Sequence, residues 1–208
     1  MLPFSAIAFD LDNTLIDRDA AFLRLLTRWF PLANHNEALQ IDDQGHGSRE
    51  ELFQYLSDGS SDAETLWQKF CREFPSFFVP DRPTNNFLTR ITVPRAILTN
   101  GNSTLQRAKL KQTGLDKVFQ ADAIVISEEI GCAKPDRRAF QRLAETLQSR
   151  PDEILYVGDH FANDIQGAHT AGFQTCWITP EAPVNAPQEA DILIRTPVEL
   201  EKICPGII

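Results

Sequence analysis

The chain has 208 residues, of which 42% are hydrophobic and 24% are charged, a balance that fits one folded domain or a domain that carries a smaller inserted one. Its net charge of −9 argues against nucleic acid as a partner, because binding to a phosphate backbone needs a basic face. No apolar run approaches the roughly 20 residues of a membrane span, and no signal peptide is recognisable, so we expect a cytoplasmic protein without a membrane partner.

The first chemical signal is a pair of acids at the end of a short apolar run. Residues 6–9 are apolar, and Asp10 and Asp12 follow them. Such a run is typical of a buried parallel strand, which delivers the acids to the carboxyl edge of a sheet, where open α/β folds bind ligands. Since neighbouring carboxylates repel each other, the pair predicts a metal site or a division of labour between an acid and a base.

A run of helices is predicted after this strand. Apolar spacing indicates an amphipathic helix from residue 19 to about residue 33. The segment 34–47 that follows is polar and contains glycine, and a loop is expected at residues 42–46. Ser48 and Ser61 then open capping boxes ahead of two further helices, the second of which is closed by Pro75.

The helical run separates the first strand from the second by far more than an ordinary crossover, so an inserted domain is expected. We place a helical cap at residues 17–84 and a core at residues 1–16 and 85–208. Asp17, Arg18 and Asp19, where the cap begins, are interpreted as solvated hinge residues.

Strands and helices alternate in the second half of the chain. This alternation predicts an α/β fold with a doubly wound parallel sheet, beside the smaller all-helical insertion. The helices are expected to follow residue 103, the Lys134-Pro135 pair and residue 163, with a short one near the end of the chain. The further strands are expected at residues 96–98, 123–126, 154–157, 175–178 and 192–194.

Polar residues follow four of these strands, and in a parallel sheet such strand ends share one edge. Carboxylates without nitrogen or sulfur donors suit Mg²⁺ rather than zinc. A hydroxyl, backbone N–H groups and a lysine complete the set that the charge of a phosphoryl group requires. The residues expected to converge are Asp10, Asp12, Thr99, Asn100, Lys134, Asp159 and Asp164.

Four segments of the sequence resemble, in order, the four motifs of the haloacid dehalogenase (HAD) superfamily. They are Asp10-Leu11-Asp12-Asn13-Thr14, Leu98-Thr99-Asn100-Gly101, Lys134-Pro135 and Gly158-Asp159 with Asn163-Asp164. The helical insertion is similar to the family's cap. The resemblance implies a Rossmann-like core and magnesium-dependent phosphoryl transfer through an aspartyl-phosphate.

The same resemblance implies a role for each matching residue. Asp10 would be the nucleophile and Asp12 the general acid and base. Asp10, the Asp12 backbone carbonyl and Asp159 would be the metal ligands, with support from Asp164. Thr99 and the Asn100 N–H would hold phosphoryl oxygens, and Lys134 would neutralise charge between the phosphate and Asp10.

Within the family, an acid two residues after the nucleophile marks phosphatases and phosphomutases, whereas dehalogenases lack it. We therefore expect a phosphatase that acts on a small phosphorylated metabolite, with a phosphomutase as the alternative. A catalytically silent binding protein that has kept the fold is the alternative of another class.

The substrate is expected to be a nucleoside 5′-monophosphate, with a sugar phosphate or flavin mononucleotide as alternatives. Residues 98–131 are similar to the pyrimidine 5′-nucleotidase branch, and the start at residues 10–17 is shared with the N-acylneuraminate 9-phosphatase branch. Substrate choice is expected to reside in the cap, with Gln44, His46 and Arg49 as candidate contacts of the leaving group.

Overall fold

The structure, a computed structural model, describes residues 4–57, 62–181, 183 and 187–208. The chain folds into two compact units. The first, called the sheet unit, comprises Met1–Ile16 and Pro80–Ile208, and the second, called the helical unit, comprises Asp17–Val79. The predicted extent of a cap, residues 17–84, stays a prediction.

Six parallel strands among the described residues form the sheet of the sheet unit, in the order β3-β2-β1-β4-β5-β6. The predicted doubly wound parallel sheet is confirmed, and each predicted strand lies within two residues of an observed one. The strands are β1 (Ala6–Phe9), β2 (Arg95–Thr99), β3 (Ile124–Ile126), β4 (Ile154–Gly158), β5 (Gln174–Ile178) and β6 (Ile192–Ile194).

The winding direction of the sheet reverses beside β1. The chain moves from β1 to β2 and β3 on one side and then returns to place β4 against the other side of β1. Phe9 pairs with Val157 at the end of this β1–β4 ladder, and the Asp10 N–H donates to the Val157 carbonyl at 2.8 Å. The carboxyl ends of β1 and β4 therefore border the crevice where such sheets bind ligands.

The burial of β1 on both faces explains why its sequence is a continuous apolar run. All four residues of β1 are fully buried, so both of its faces are covered. On one face, Ala6 and Ala8 belong to a cluster with Phe140 and Leu143 of α8 (Arg137–Leu147), while on the other the Phe9 ring meets the Phe119 ring at a centroid distance of 6.4 Å. A central parallel strand has no polar face, which is why alternation is absent.

The helices of the sheet unit agree with the sequence in part. α6 (Ser103–Thr113) ends as predicted at Gly114, whose φ of 78° is the left-handed conformation that favours glycine. α5 (Arg82–Arg90) and α7 (Ser127–Ile130) were not predicted. The predicted helix after β4 is a π-helical turn, Phe161–Gln166, that continues as α9 (Gly167–Ala171), and the last helix is α10 (Leu200–Ile203).

The helical unit contains α1 (Arg18–Trp29), α2 (His35–Asp42), α3 (Arg49–Leu56) and α4 (Ala63–Glu73). α2 was not predicted as a separate helix, because its composition is polar; the Asn34 side chain accepts from the Glu37 N–H and so caps it. Ser48 caps α3 as predicted. Ser61 lies outside the described residues, and Asp62 is the cap of α4.

The interpretation of Arg18 as a solvated hinge residue is wrong. Arg18 and Asp42 are each only 6% exposed, and two hydrogen bonds of 2.6 and 2.7 Å join the guanidinium to the carboxylate. The guanidinium also lies 5.3 Å from the centroid of the Phe22 ring. Two residues that look polar and exposed in the sequence thus form a buried ion pair, because each satisfies the charge of the other.

Among the helices of the described residues, none combines the length and the hydropathy that a bilayer span would need.

Replacing Asp42 by alanine should destabilise the helical unit, because it leaves the Arg18 guanidinium buried without its carboxylate. We expect the free energy of unfolding, measured by urea denaturation, to fall by about 3–5 kcal/mol. The control is Asp19→Ala. The Asp19 carboxylate lies 3.5 Å from the same guanidinium but its side chain is 40% exposed, so its loss should lower the free energy of unfolding by at most about 1 kcal/mol. Equal losses in the two variants would contradict the assignment of a buried pair.

Candidate active site

The candidate site is built around the buried side chain of Lys134. Its Nζ donates to Asp10 Oδ1, to Asp164 Oδ1 at 2.6 Å and to the Tyr156 hydroxyl at 3.0 Å. An ammonium group has three N–H donors, so this set provides one acceptor for each. Lys134 is 5% exposed, a depth at which a lysine is found only when its charge is compensated.

The Asn100 side chain, at the end of β2, is hydrogen-bonded to the backbone of Lys134. The Asn100 side-chain amide donates to the Lys134 carbonyl at 2.9 Å, and its side-chain oxygen accepts from the Lys134 N–H at 2.9 Å. The backbone N–H and C=O of Lys134 are therefore both held by one side chain. Asn100, predicted to contact phosphate through its N–H, also positions the lysine through its side chain.

Asp164 reaches the lysine because of a close approach at Gly158. A Cβ atom at Gly158 would lie 2.5 Å from the Asp164 Cγ, so a side chain at this position would displace the carboxylate. The second carboxylate oxygen of Asp164 accepts from the His160 N–H at 3.0 Å, beside the π-helical turn that follows β4. Both oxygens of Asp164 are thus engaged by the protein, as expected of a supporting residue.

Three carboxylates converge at this point. Asp10, Asp159 and Asp164 each offer an oxygen, and these oxygens lie within 4.8 Å of one another, close enough to surround one cation. Asp159 is oriented by Thr14, whose hydroxyl donates to Asp159 Oδ1 at 3.2 Å, and by Trp177, whose indole N–H donates to the Asp159 carbonyl at 2.7 Å. The cluster is therefore an ordered set of oxygen donors.

The charges in this cluster do not cancel. Burial raises the pKa of Asp10 to about 7, although Lys134 acts in the opposite direction. Burial and the neighbouring Asp10 and Asp164 raise the pKa of Asp159 to about 8. Burial by itself would lower the pKa of Lys134, but the Asp10 and Asp164 carboxylates outweigh it and raise that pKa well above its ordinary value. One cation among three acids leaves negative charge that a bound metal ion would offset.

Asp12 occupies a separate position beside this cluster. Its carboxylate oxygens accept from Lys109 Nζ at 2.8 and 2.7 Å, and Oδ2 also accepts from the Gln106 amide at 2.9 Å. The same Gln106 amide donates to the Thr99 hydroxyl at 2.6 Å. The predicted acid and the predicted phosphate-binding threonine are therefore connected through one side chain of α6.

The structure brings together the core residues that the sequence singled out, and their roles stay predictions. The cap candidates lie elsewhere in the chain, in the helical unit: Gln44 and His46 belong to a tight turn, and the Arg49 guanidinium lies 4.1 Å from the centroid of the Trp67 ring.

Sequence reasoning missed several residues that contact the predicted ones. A tyrosine in an otherwise aliphatic strand was an available signal, whereas nothing in the sequence marks the glutamine and the lysine of α6 as buried. The missed residues are Thr14, Gln106, Lys109, Tyr156 and Trp177.

A family model described as haloacid dehalogenase-like hydrolase matches residues 4–172. Since this match covers most of the sequence, the chain belongs to the haloacid dehalogenase-like hydrolases. The predicted family is thereby confirmed, and the chain is a hydrolase of that family.

Several known proteins are similar to this chain. Pyrimidine 5′-nucleotidase YjjG of Escherichia coli is 45% identical over 84 residues, which are 39% of this chain and 36% of that protein. The HAD-hydrolase YfnB of Bacillus subtilis is 28% identical over 214 residues, covering 90% of this chain and 89% of that protein. Ribulose-1,5-bisphosphate 5-phosphatase of Halopiger xanaduensis is 28% identical over 218 residues, covering 90% of each.

The fold is likewise that of a solved relative. The crystal structure of YfnB bound to magnesium matches with a TM-score of 0.75 at 26% identity, and the match covers 96% of this chain and 98% of that one. The predicted Rossmann-like architecture is confirmed by this similarity.

Replacing Tyr156 by phenylalanine should destabilise the sheet unit, because one N–H of the buried Lys134 ammonium loses its acceptor. We expect the free energy of unfolding in urea to fall by about 1–3 kcal/mol. The chain has two tyrosines, which provides a matched control: the Tyr55 hydroxyl donates to Glu37 at the surface of the helical unit, and Tyr55→Phe should change stability by less than about 0.5 kcal/mol. A neutral Tyr156→Phe would show that the lysine does not depend on the hydroxyl.

Proposed function

We propose that this protein is a magnesium-dependent phosphatase that hydrolyses a small phosphate monoester through an aspartyl-phosphate on Asp10. The observation that carries the proposal is the single cluster of Asp10, Asp159, Asp164 and Lys134, drawn from three distant segments of the sequence. A carboxylate nucleophile, oxygen donors for a hard cation and a fixed ammonium are the groups that phosphoryl transfer requires.

The donor set fits magnesium. All three acids offer carboxylate oxygens, the ligands that Mg²⁺ prefers. Burial raises the pKa of Asp10 and of Asp159, and a divalent cation would favour their charged forms. Asp10, Asp159 and the Asp12 carbonyl would hold the ion, with Asp164 fixed behind them by the His160 N–H. When bound, Mg²⁺ would draw a phosphoryl oxygen towards Asp10 and neutralise its charge.

The reaction follows from the roles of two aspartates. An oxygen of the Asp10 carboxylate attacks phosphorus, and the bond from phosphorus to the ester oxygen breaks as that oxygen takes a proton from Asp12. The alcohol leaves. Asp12 then takes a proton from a water molecule, which attacks the acyl phosphate and releases inorganic phosphate and free Asp10. The net change is one ester and one water converted into one alcohol and one phosphate.

The remaining residues hold the phosphoryl group during both steps. The Thr99 hydroxyl and the Asn100 N–H would donate to phosphoryl oxygens at the end of β2, and Lys134 would stabilise charge that develops between the phosphate and Asp10. Lys134 contacts Asp10, so its charge lies beside the proposed nucleophile.

The substrate proposed first is a nucleoside 5′-monophosphate, supported by the 45% identity to the nucleotidase YjjG over 84 residues. A sugar phosphate is the second candidate, supported by similarity over 90% of the chain to a ribulose-1,5-bisphosphate 5-phosphatase. Initial rates of phosphate release from a panel of nucleoside monophosphates, sugar phosphates and flavin mononucleotide separate the candidates. We expect kcat/KM to be about tenfold higher or more for one class, whereas similar values for all three classes would contradict both assignments.

Release of p-nitrophenol from p-nitrophenyl phosphate tests the reaction itself. Wild type should need Mg²⁺ and lose activity in EDTA, and Asp10→Asn should lower kcat by about three orders of magnitude or more, because an amide does not replace the carboxylate nucleophile. Asp116→Asn, a change of the same type at an exposed position of the sheet unit, should leave kcat unchanged. Activity that persists in Asp10→Asn would rule out the proposed nucleophile.

Thermal unfolding tests the metal without reference to activity. A ligand that binds only the folded state at about 100 times its Kd stabilises it by about 2.7 kcal/mol, so saturating Mg²⁺ should raise the Tm of wild type. Asp159→Asn removes one ligand and should abolish most of this shift, while Asp116→Asn should keep it. The same shift in Asp159→Asn and wild type would show that the ion binds elsewhere.

A further inference from the structure

Helix α6 carries two polar side chains that are almost completely buried. Gln106 is 1% exposed and Lys109 is 3% exposed, and they lie three positions apart, on the same face of the helix. Lysine is rarely buried to this extent, and its charge must then be compensated by a nearby group. Neither residue has a role in the proposed chemical steps.

Both side chains are directed to Asp12. Lys109 Nζ lies 2.8 Å from Asp12 Oδ1 and 2.7 Å from Oδ2, so the ammonium bridges the two carboxylate oxygens. The Gln106 amide adds a donor to Oδ2 at 2.9 Å. Charge-assisted hydrogen bonds of this kind set the direction of a carboxylate as well as stabilising it.

Gln106 also contacts the end of β2. Its amide donates to the Thr99 hydroxyl at 2.6 Å and to the Asn100 carbonyl at 3.1 Å. The distance between Asp12 and the proposed phosphate-binding residues is therefore set by a side chain that contacts both. Displacement of a catalytic group by about 1 Å can lower the rate by about two orders of magnitude, so such a connection bears directly on catalysis.

We propose that Lys109 and Gln106 are positioning residues that hold the Asp12 carboxylate in place for proton transfer and couple it to the phosphate-binding end of β2. The inference rests on the proposed function, in which Asp12 is the acid and the base. Neither residue is assigned a contact with the phosphoryl group. Their effect is exerted through Asp12, and for Gln106 also through Thr99.

The test compares Lys109→Met with wild type on two phosphate esters. With β-glycerophosphate, whose alkoxide needs a proton to leave, kcat should fall about tenfold or more while KM stays within about twofold, because general acid catalysis contributes about 10²–10⁴-fold. With p-nitrophenyl phosphate, whose phenolate leaves unaided, rapid mixing should show a burst of one p-nitrophenol per enzyme, because only the hydrolysis of the acyl phosphate is slowed. Lys111→Met, at an exposed position of the same helix, should show neither effect.

A double-mutant cycle separates positioning from a purely structural role. If Lys109 acts through Asp12, kcat of Asp12→Asn/Lys109→Met should equal that of Asp12→Asn within about twofold, whereas independent roles would multiply the two losses. Gln106→Leu keeps the charge balance and should also lower kcat. It serves as the second variant if Lys109→Met does not fold.

The outcomes distinguish failure of the proposed function from failure of the positioning role. A wild type that releases no phosphate from any ester overturns the proposed function and the positioning role with it. An active wild type that depends on Asp10, combined with unchanged or increased kcat in Lys109→Met or Gln106→Leu, overturns the positioning role alone. Losses that multiply in the cycle would likewise overturn it.

Discussion

The compensation of one buried ammonium group is the constraint on which the core of this structure depends. Lys134 has lost nearly all contact with solvent, and an uncompensated charge at that depth would cost several kcal/mol. Its three acceptors come from the end of β1, from β4 and from the π-helical turn, so the sheet must be assembled before the lysine is satisfied. Features that look unrelated in the sequence, such as Gly158 and the Asn100 side chain, serve this one requirement.

The buried pair in the helical unit differs from the cluster around Lys134 that we propose as the active site. The Arg18 guanidinium is matched by the Asp42 carboxylate through two short hydrogen bonds, and the more exposed Asp19 lies 3.5 Å from it. Around Lys134, three acids accompany one cation, and the pKa values of Asp10 and Asp159 are raised to about 7 and about 8. Such an imbalance of charge opposes folding, and strongly perturbed pKa values of this kind are typical of functional sites.

The sequence predicted what depends on local pattern. The apolar runs located the strands, and the polar residues after them located the site, because parallel strands end at one edge. It did not predict α2, which begins at an Asn34 cap in a polar segment, nor the burial of Arg18, which depends on Asp42 at the end of that helix. Gln106, Lys109 and Tyr156 were missed for the same reason, since only tertiary contacts distinguish a buried polar residue from an exposed one.

The residues proposed for the reaction and the residues that select the substrate need not lie in the same unit. Every residue placed in the cluster, in the described contacts of Asp12 and at the end of β2 belongs to the sheet unit. The groups proposed to recognise phosphate would serve any monoester, and they cannot distinguish a nucleotide from a sugar phosphate. Discrimination by contacts with the leaving group requires residues outside this set. None of the described residues of the helical unit belongs to the cluster, so the charge balance around Lys134 is set within the sheet unit.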